Sequence, residues 1–259
     1  MQCKTDFYID FHTHLDWYNP EDLYFQLSGF KGLIVAASVD SKSFYKNLEI
    51  TKTANERFSG VKIVPGFGIH PSRVLSVLSE SKNLHRFDSL LEESYYIGEI
   101  GMDFCWYKDA APEQQEYVLR YFLEHCNKTK KCCVVHTKAA EKEISRILLD
   151  YPYAKTVIHW YDGPESIYRE FIERGYWFTF GCETCRSEYL QNLLKITPKE
   201  RILAETDNPD SEPWLGGTDS SVNLIKRVYS DIGKVLDLNQ KEVCELINRN
   251  SGQLLGLNL

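Results

Sequence analysis

Side chains able to hold divalent cations recur along this chain at the C-terminal ends of separate apolar runs. His12 and His14 close Ile9-Asp10-Phe11-His12-Thr13-His14, and Glu99 lies in Ile97-Gly98-Glu99-Ile100-Gly101. His136 follows Cys132-Cys133-Val134-Val135, His159 follows Thr156-Val157-Ile158, and Asp207 ends Leu203-Ala204-Glu205-Thr206-Asp207. Imidazole nitrogens and carboxylate oxygens are the donors that such ions take. Four imidazoles and two carboxylates are more than one ion needs and suit two. The chemistry they suggest is metal-assisted hydrolysis, in which the ions polarise a phosphoryl or carbonyl oxygen and acidify a water.

Each group can be weighed alone. His12 and His14 are two apart at a strand end, so both rings share a face. Glu99 sits where a strand should be buried, and a buried carboxylate needs either a cation or a basic side chain beside it. A lone strand-end histidine is more often structural than a ligand, but His136 and His159 fall on adjacent strands. Asp207 can bind metal and also accept a proton from water. Glu205 shares its face and either supports the ligands from behind or binds an additional ion. His70, in Gly68-Ile69-His70-Pro71, also follows a strand and is a candidate substrate contact. Lys138, two residues past His136, is placed for a phosphate, the alternative being a solvated lysine. His85 and His125 fall in helical stretches and read as structural or solvated.

The elements that must position these groups alternate throughout. Strands are expected at Phe7–Phe11, Gly32–Val39, Val61–Phe67, Tyr95–Glu99, Cys132–His136, Lys155–His159, Tyr176–Phe180 and Arg201–Glu205. Most are near-continuous apolar runs, the pattern of parallel strands buried on both faces. Helices lie between them. Asn19 caps one with Pro20 at its first position. Pro112 opens another with Val118, Leu119, Phe122, Leu123 and Cys126 on one stripe. Gly163-Pro164-Glu165 opens a third, closed near Gly175. Asn239 and Glu242 form a capping box before a last one. Eight strand-then-helix units without a linker predict one α/β domain over residues 1–259, a (β/α)8 TIM barrel whose strands deliver their C-terminal ends to one face.

Composition excludes several classes. An apolar content of 43% can fill a large core, so disorder is not expected. The longest clear apolar run, Gly32 to Val39, is far short of the ~20 residues of a membrane helix. Met1–Asp6 lacks a signal peptide's apolar core, and a cytoplasmic protein is expected. With no export signal the eight cysteines are not expected to form a disulfide framework. Cys182-Glu183-Thr184-Cys185 has no second pair at zinc spacing. A net charge of −7 argues against broad electrostatic binding to nucleic acid. It does not exclude a nuclease, since two divalent ions would add four positive charges where phosphate sits.

The ordered segments resemble the TatD family of metal-dependent hydrolases, within the amidohydrolase-like barrels. They are Asp10-Phe11-His12-Thr13-His14-Leu15-Asp16, Gly68-Ile69-His70-Pro71, Gly98-Glu99-Ile100-Gly101-Met102-Asp103, His136-Thr137-Lys138, Val157-Ile158-His159 and Leu203 to Pro209, with Asn248-Arg249-Asn250 to Leu257 as the last helix. The resemblance covers nearly the whole chain. It implies a deoxyribonuclease or 3′–5′ exonuclease working with two divalent ions. His12 and His14 would hold one ion and His136 and His159 the other, with Glu99 shared and Asp207 catalytic. The chain departs from the family at His159-Trp160-Tyr161-Asp162-Gly163, where His-Cys-Phe-Ser-Gly is common, and in Trp214–Asn223. Both departures fall in substrate loops. Asn208-Pro209 with Trp214 is similar to TatD-like nucleases of the Qat anti-phage defence system, which implies defence-complex partner proteins.

Four of the five tryptophans, Trp17, Trp106, Trp160 and Trp214, fall in loops beyond strands, while Trp177 reads as core. Aromatic faces around a metal site suit stacking of unpaired bases, worth ~1–3 kcal/mol each; the alternative is loop packing. The expected activity is therefore hydrolysis of phosphodiesters, in single-stranded DNA or at ends, with Asp207 and Glu99 catalytic and His70, Lys138, Trp106 and Trp160 at the substrate. Magnesium, manganese and zinc all suit these donors. The rival readings are hydrolysis of another ester or amide, such as an aminoacyl ester on tRNA, and a scaffold with a structural metal.

Overall fold

The computed structural model describes residues 6–258; Met1–Thr5, most of the segment read above as lacking a leader's apolar core, lies outside them. The strands are β1 (Tyr8–Thr13), β2 (Gly32–Ala36), β3 (Val61–Phe67), β4 (Tyr96–Asp103), β5 (Cys132–Lys138), β6 (Lys155–Ile158), β7 (Trp177–Phe180) and β8 (Ile202–Ala204). Strand order follows chain order. The registered pairs are parallel, with helices in the connections, as the sequence pattern predicts. The main difference lies in β4 and β5, which run past Glu99 and His136 to Asp103 and Lys138. Gly101 is the reason. A Cβ there would lie 2.1 Å from the His136 carbonyl, so glycine lets β4 continue beside β5 rather than ending it.

Two compact units are distinguished, one of Met1–Ala36, Lys46–Val64 and Phe178–Leu259, the other of Ala37–Tyr45 and Pro65–Trp177. In the first, β1 pairs with β2 from Tyr8↔Gly32 onward and β7 with β8 from Phe178↔Ile202 onward. Backbone hydrogen bonds join the ends of β1 and β8: His14 N to Asn208 O and Asp207 N to His12 O, both 2.9 Å. The helix Gln240–Leu255 starts on the expected Asn239–Glu242 capping box. Its Asn250 amide donates to the carbonyls of Lys199 (2.7 Å) and Ile202 (2.8 Å), fastening it to the start of β8.

In the second unit β4 pairs with β3 and β5, and β5 with β6. Every residue of β4 and β5 is buried, the charged and polar ones included, which explains the apolar runs Tyr96–Ile97 and Cys132–Val135 that lead into Glu99 and His136. The helix Pro112–Thr129 buries Val118, Leu119, Phe122, Leu123 and Cys126, the predicted stripe. Phe122 meets Phe67 of β3 edge-on at 5.7 Å, and burying such a ring stabilises by about 2 kcal/mol. No helix among the described residues is long and apolar enough to cross a membrane.

Candidate metal centre

In the first unit, β1 brings His12 and His14 into the interior, 0% and 3% exposed. The His14 ring stacks on Trp17 at 4.1 Å, which fixes its plane. Asp207 follows β8 with a φ of 52°, a left-handed conformation that Asp tolerates better than most residues. Its Oδ1 lies 3.5 Å from His12 Nε2 and 3.3 Å from His14 Nε2. Asp10 ties the strand ends together. Its carboxylate accepts from the Thr206 amide (2.9 Å), the Thr206 hydroxyl (2.6 Å) and the His12 amide (3.3 Å). One fully buried carboxylate thus anchors both arms of the triad. Burial pushes the Asp10 carboxyl up to about 8, against the hydrogen bonds from Thr206 and His12. Glu205 is fully buried nearby. Glu183, after β7, is raised to about 7 by burial and then by the charge of Glu205. Such an excess of buried carboxylates is what a cation would relieve.

The second unit carries a separate cluster. β4 presents Glu99, β5 presents His136, and His159 and His70 follow β6 and β3; all four are buried. Three imidazoles converge on Glu99 Oε1: His136 Nδ1 at 2.9 Å, His159 Nε2 at 3.1 Å and His70 Nε2 at 3.5 Å. His136 Nε2 faces Asp103 Oδ2 at 3.0 Å. Burial disfavours a charged His136, but the hydrogen bonds with Asp103 and Glu99 outweigh it, so its pKa lies above the usual imidazole value.

The donors fit divalent ions. His12, His14 and Asp207 form one group, and His70, Glu99 and His136 another, in which the ligand atoms lie within 4.8 Å of one another. Bonds of ~2.1 Å put neighbouring donors ~3.4 Å apart in a tetrahedron and ~3.0 Å apart in an octahedron. The distances above span that range. His70, expected at the substrate, stands among the candidate ligands here.

Three polar residues escape the sequence reading as parts of the site. Asp10 and Asp103 sit inside the quoted motifs but have no role there. Gln115 is the single polar residue on the buried stripe of its helix, which was the available signal. Its side chain accepts from Asp103 N (2.7 Å) and donates to the carbonyls of Asp103, Tyr107 and Ala110 at 2.9–3.1 Å. Asp103 Oδ1 accepts from the amides of Cys105 and Trp106, both 2.7 Å. Together they set the loop that carries Trp106. Of the loop tryptophans, Trp17, Trp106 and Trp214 are 41%, 54% and 60% exposed. Tyr18 and Tyr161, which accompany two of the tryptophans in sequence, are packed inside. Lys138 is buried, with Nζ 2.7 Å from Asp162 Oδ2.

Comparison with known proteins points to one family. The family model described as TatD related DNase matches residues 9–256. An uncharacterized metal-dependent hydrolase of Methanocaldococcus jannaschii is 27% identical over 252 residues, 94% of this chain and 95% of that protein. The human deoxyribonuclease TATDN3 is 28% identical over 233 residues, 85% of this chain and 82% of that protein. A TatD family hydrolase from Entamoeba histolytica superposes with a TM-score of 0.81 at 19% identity, covering 96% of this chain and 98% of that one. That likeness assigns the (β/α)8 barrel fold.

Proposed function

The chain belongs to the TatD-related DNase family of metal-dependent hydrolases, and from that membership we propose that it hydrolyses phosphodiester bonds in DNA, taking unpaired strands or ends in the 3′–5′ sense. The observation that carries this reading is the spacing of His12, His14 and Asp207, with Asp207 Oδ1 3.5 and 3.3 Å from the two imidazole nitrogens.

His12, His14 and Asp207 would hold one divalent ion, and Glu99 with His136 and His159 would hold a second. Magnesium, manganese or zinc would supply polarisation of the phosphoryl group and easy deprotonation of water at neutral pH. Asp207 accepts the proton of the attacking water. Glu99 gathers the imidazoles of its cluster, and Asp103 fixes the ring of His136. His70 either completes that cluster or touches the substrate. Glu205, buried near Asp10 and Glu183, supports the ligands and keeps the site anionic enough to retain cations. Lys138, Trp106 and Trp160 bind the strand. Residues 1–259 act as one catalytic domain in the cytoplasm. Service in anti-phage defence alongside partner proteins rests on the likeness at Asn208-Pro209 and Trp214.

Digestion of end-labelled single- and double-stranded DNA, with RNA and small esters in parallel and with each metal, tests the reading. Faster loss of single-stranded DNA from its 3′ end supports it. Turnover of an aminoacyl ester or lactone with DNA untouched would replace it.

A further inference from the structure

Lys138 is an unusual lysine. It leaves β5 two residues beyond His136, its side chain is only 9% exposed, and its ammonium lies between two indoles. Nζ is 5.4 Å from the Trp106 ring centre and 6.0 Å from that of Trp160. Its polar partners are the Asp162 carboxylate at 2.7 Å and the Trp160 carbonyl at 3.3 Å. Trp160 has a φ of 39°, a left-handed conformation that is strained for a bulky residue and is kept only where the surroundings enforce it. Asp162 differs from its partner. Its side chain is 49% exposed, on the turn before Gly163-Pro164. A buried cation between aromatic faces is thus covered by one carboxylate that can swing into water.

We propose that Asp162 occupies the place of a substrate phosphate on Lys138, so that Trp106, Lys138 and Trp160 form a subsite for a non-reacting phosphate of an unpaired strand and its base. This rests on the nuclease reading above and adds the substrate class of one loop. A carboxylate and a phosphate oxygen present the same acceptor to an ammonium. Lys138 pairs with Asp162 rather than with Glu99 or Asp103, so the phosphate it takes is not the one being cleaved. The indoles offer flat faces to a base, and only an unpaired base can present its own. Asp162 also repels anions that lack a stacking base, which sharpens selection against lone phosphates.

A fluorescein-labelled thymidine octamer with phosphorothioate linkages, which resists hydrolysis, gives the binding readout by anisotropy. Asp162→Asn should tighten binding about threefold, the scale of a partly exposed ion pair. Lys138→Met should weaken it about tenfold, the lower end for a hydrogen bond to a charged group. In the Lys138→Met background, Asp162→Asn should have no effect. With hydrolysable substrates, Lys138→Met should raise KM for a thymidine octamer more than for thymidine 5′-p-nitrophenyl phosphate, which has one diester. Weaker or unchanged binding by Asp162→Asn overturns the proposal, as does an equal rise in both KM values. If the wild type binds the octamer but cleaves no nucleic acid, the nuclease reading fails while the Asp162 comparison still decides the subsite. Should Lys138→Met not fold, the octamer affinity of Asp162→Asn against that of the wild type is sufficient to support or overturn the subsite.

Discussion

The carboxylate of Asp103 faces Nε2 of His136 at 3.0 Å, and both side chains are buried. The same carboxylate receives the Trp106 amide at 2.7 Å. One residue therefore sets the ring plane of a candidate metal ligand and the start of the loop that carries Trp106. Asp103→Asn keeps the acceptor for the loop but changes the partner of His136. Losing the carboxylate behind a ligating imidazole typically costs ~10–100-fold in metal affinity or activity. Calorimetric titration with zinc or manganese should show that loss at one site, and unchanged affinity would show that Asp103 does not support the ligand.

Gln115 makes four hydrogen bonds to backbone of the 103–110 loop. Gln115→Ala leaves those buried groups unpaired and should destabilise the protein by about 2 kcal/mol. Limited proteolysis should then cut near Trp106 while the rest of the chain stays resistant. Cleavage no faster than in the wild type would show that the loop holds itself.

Glu183 makes a prediction about pH. Burial, then the charge of Glu205, lifts its carboxyl from 4.5 to about 7. The folded state holds that proton more tightly than the unfolded chain does. Its contribution to stability is therefore full below the unfolded value and declines as pH rises through about 7. Without added metal, Tm of the wild type should fall more steeply over that window than Tm of Glu183→Gln, which cannot ionise. Parallel profiles would mean that Glu183 does not hold a proton there.

Much of the candidate site is legible in the sequence because ligand-type side chains at strand ends leave a local signature, an apolar run closed by a polar residue. His12, Glu99, His136 and His159 carry it, and Asp207 lies three residues beyond the run that ends β8. The supports do not. Asp10 meets Thr206 across 196 residues of sequence, and no local pattern reports such a pairing. The strand expected at Tyr95–Glu99 stops short of Gly101, yet Gly101 is the residue that lets β4 lie close against His136. His70 follows a strand and reads as a substrate contact, and only the folded chain brings its Nε2 to 3.5 Å from Glu99.

Divalent ions should also stabilise the fold, because a ligand bound only by the native state adds about 2.7 kcal/mol at a hundred times its dissociation constant. Chelation should lower Tm, and zinc or manganese should restore it. Asp207→Asn should retain part of that restoration through the Glu99 cluster. A Tm indifferent to chelator and metal would contradict both sites.

Metal content per chain, measured by elemental analysis after reconstitution and desalting, bears most directly on the two candidate ion sites. The wild type should carry two divalent ions, and the His12→Ala/His14→Ala variant should carry one with its fold intact. A wild type that carries none, or a variant that keeps both, would contradict the assignment of these histidines as ligands.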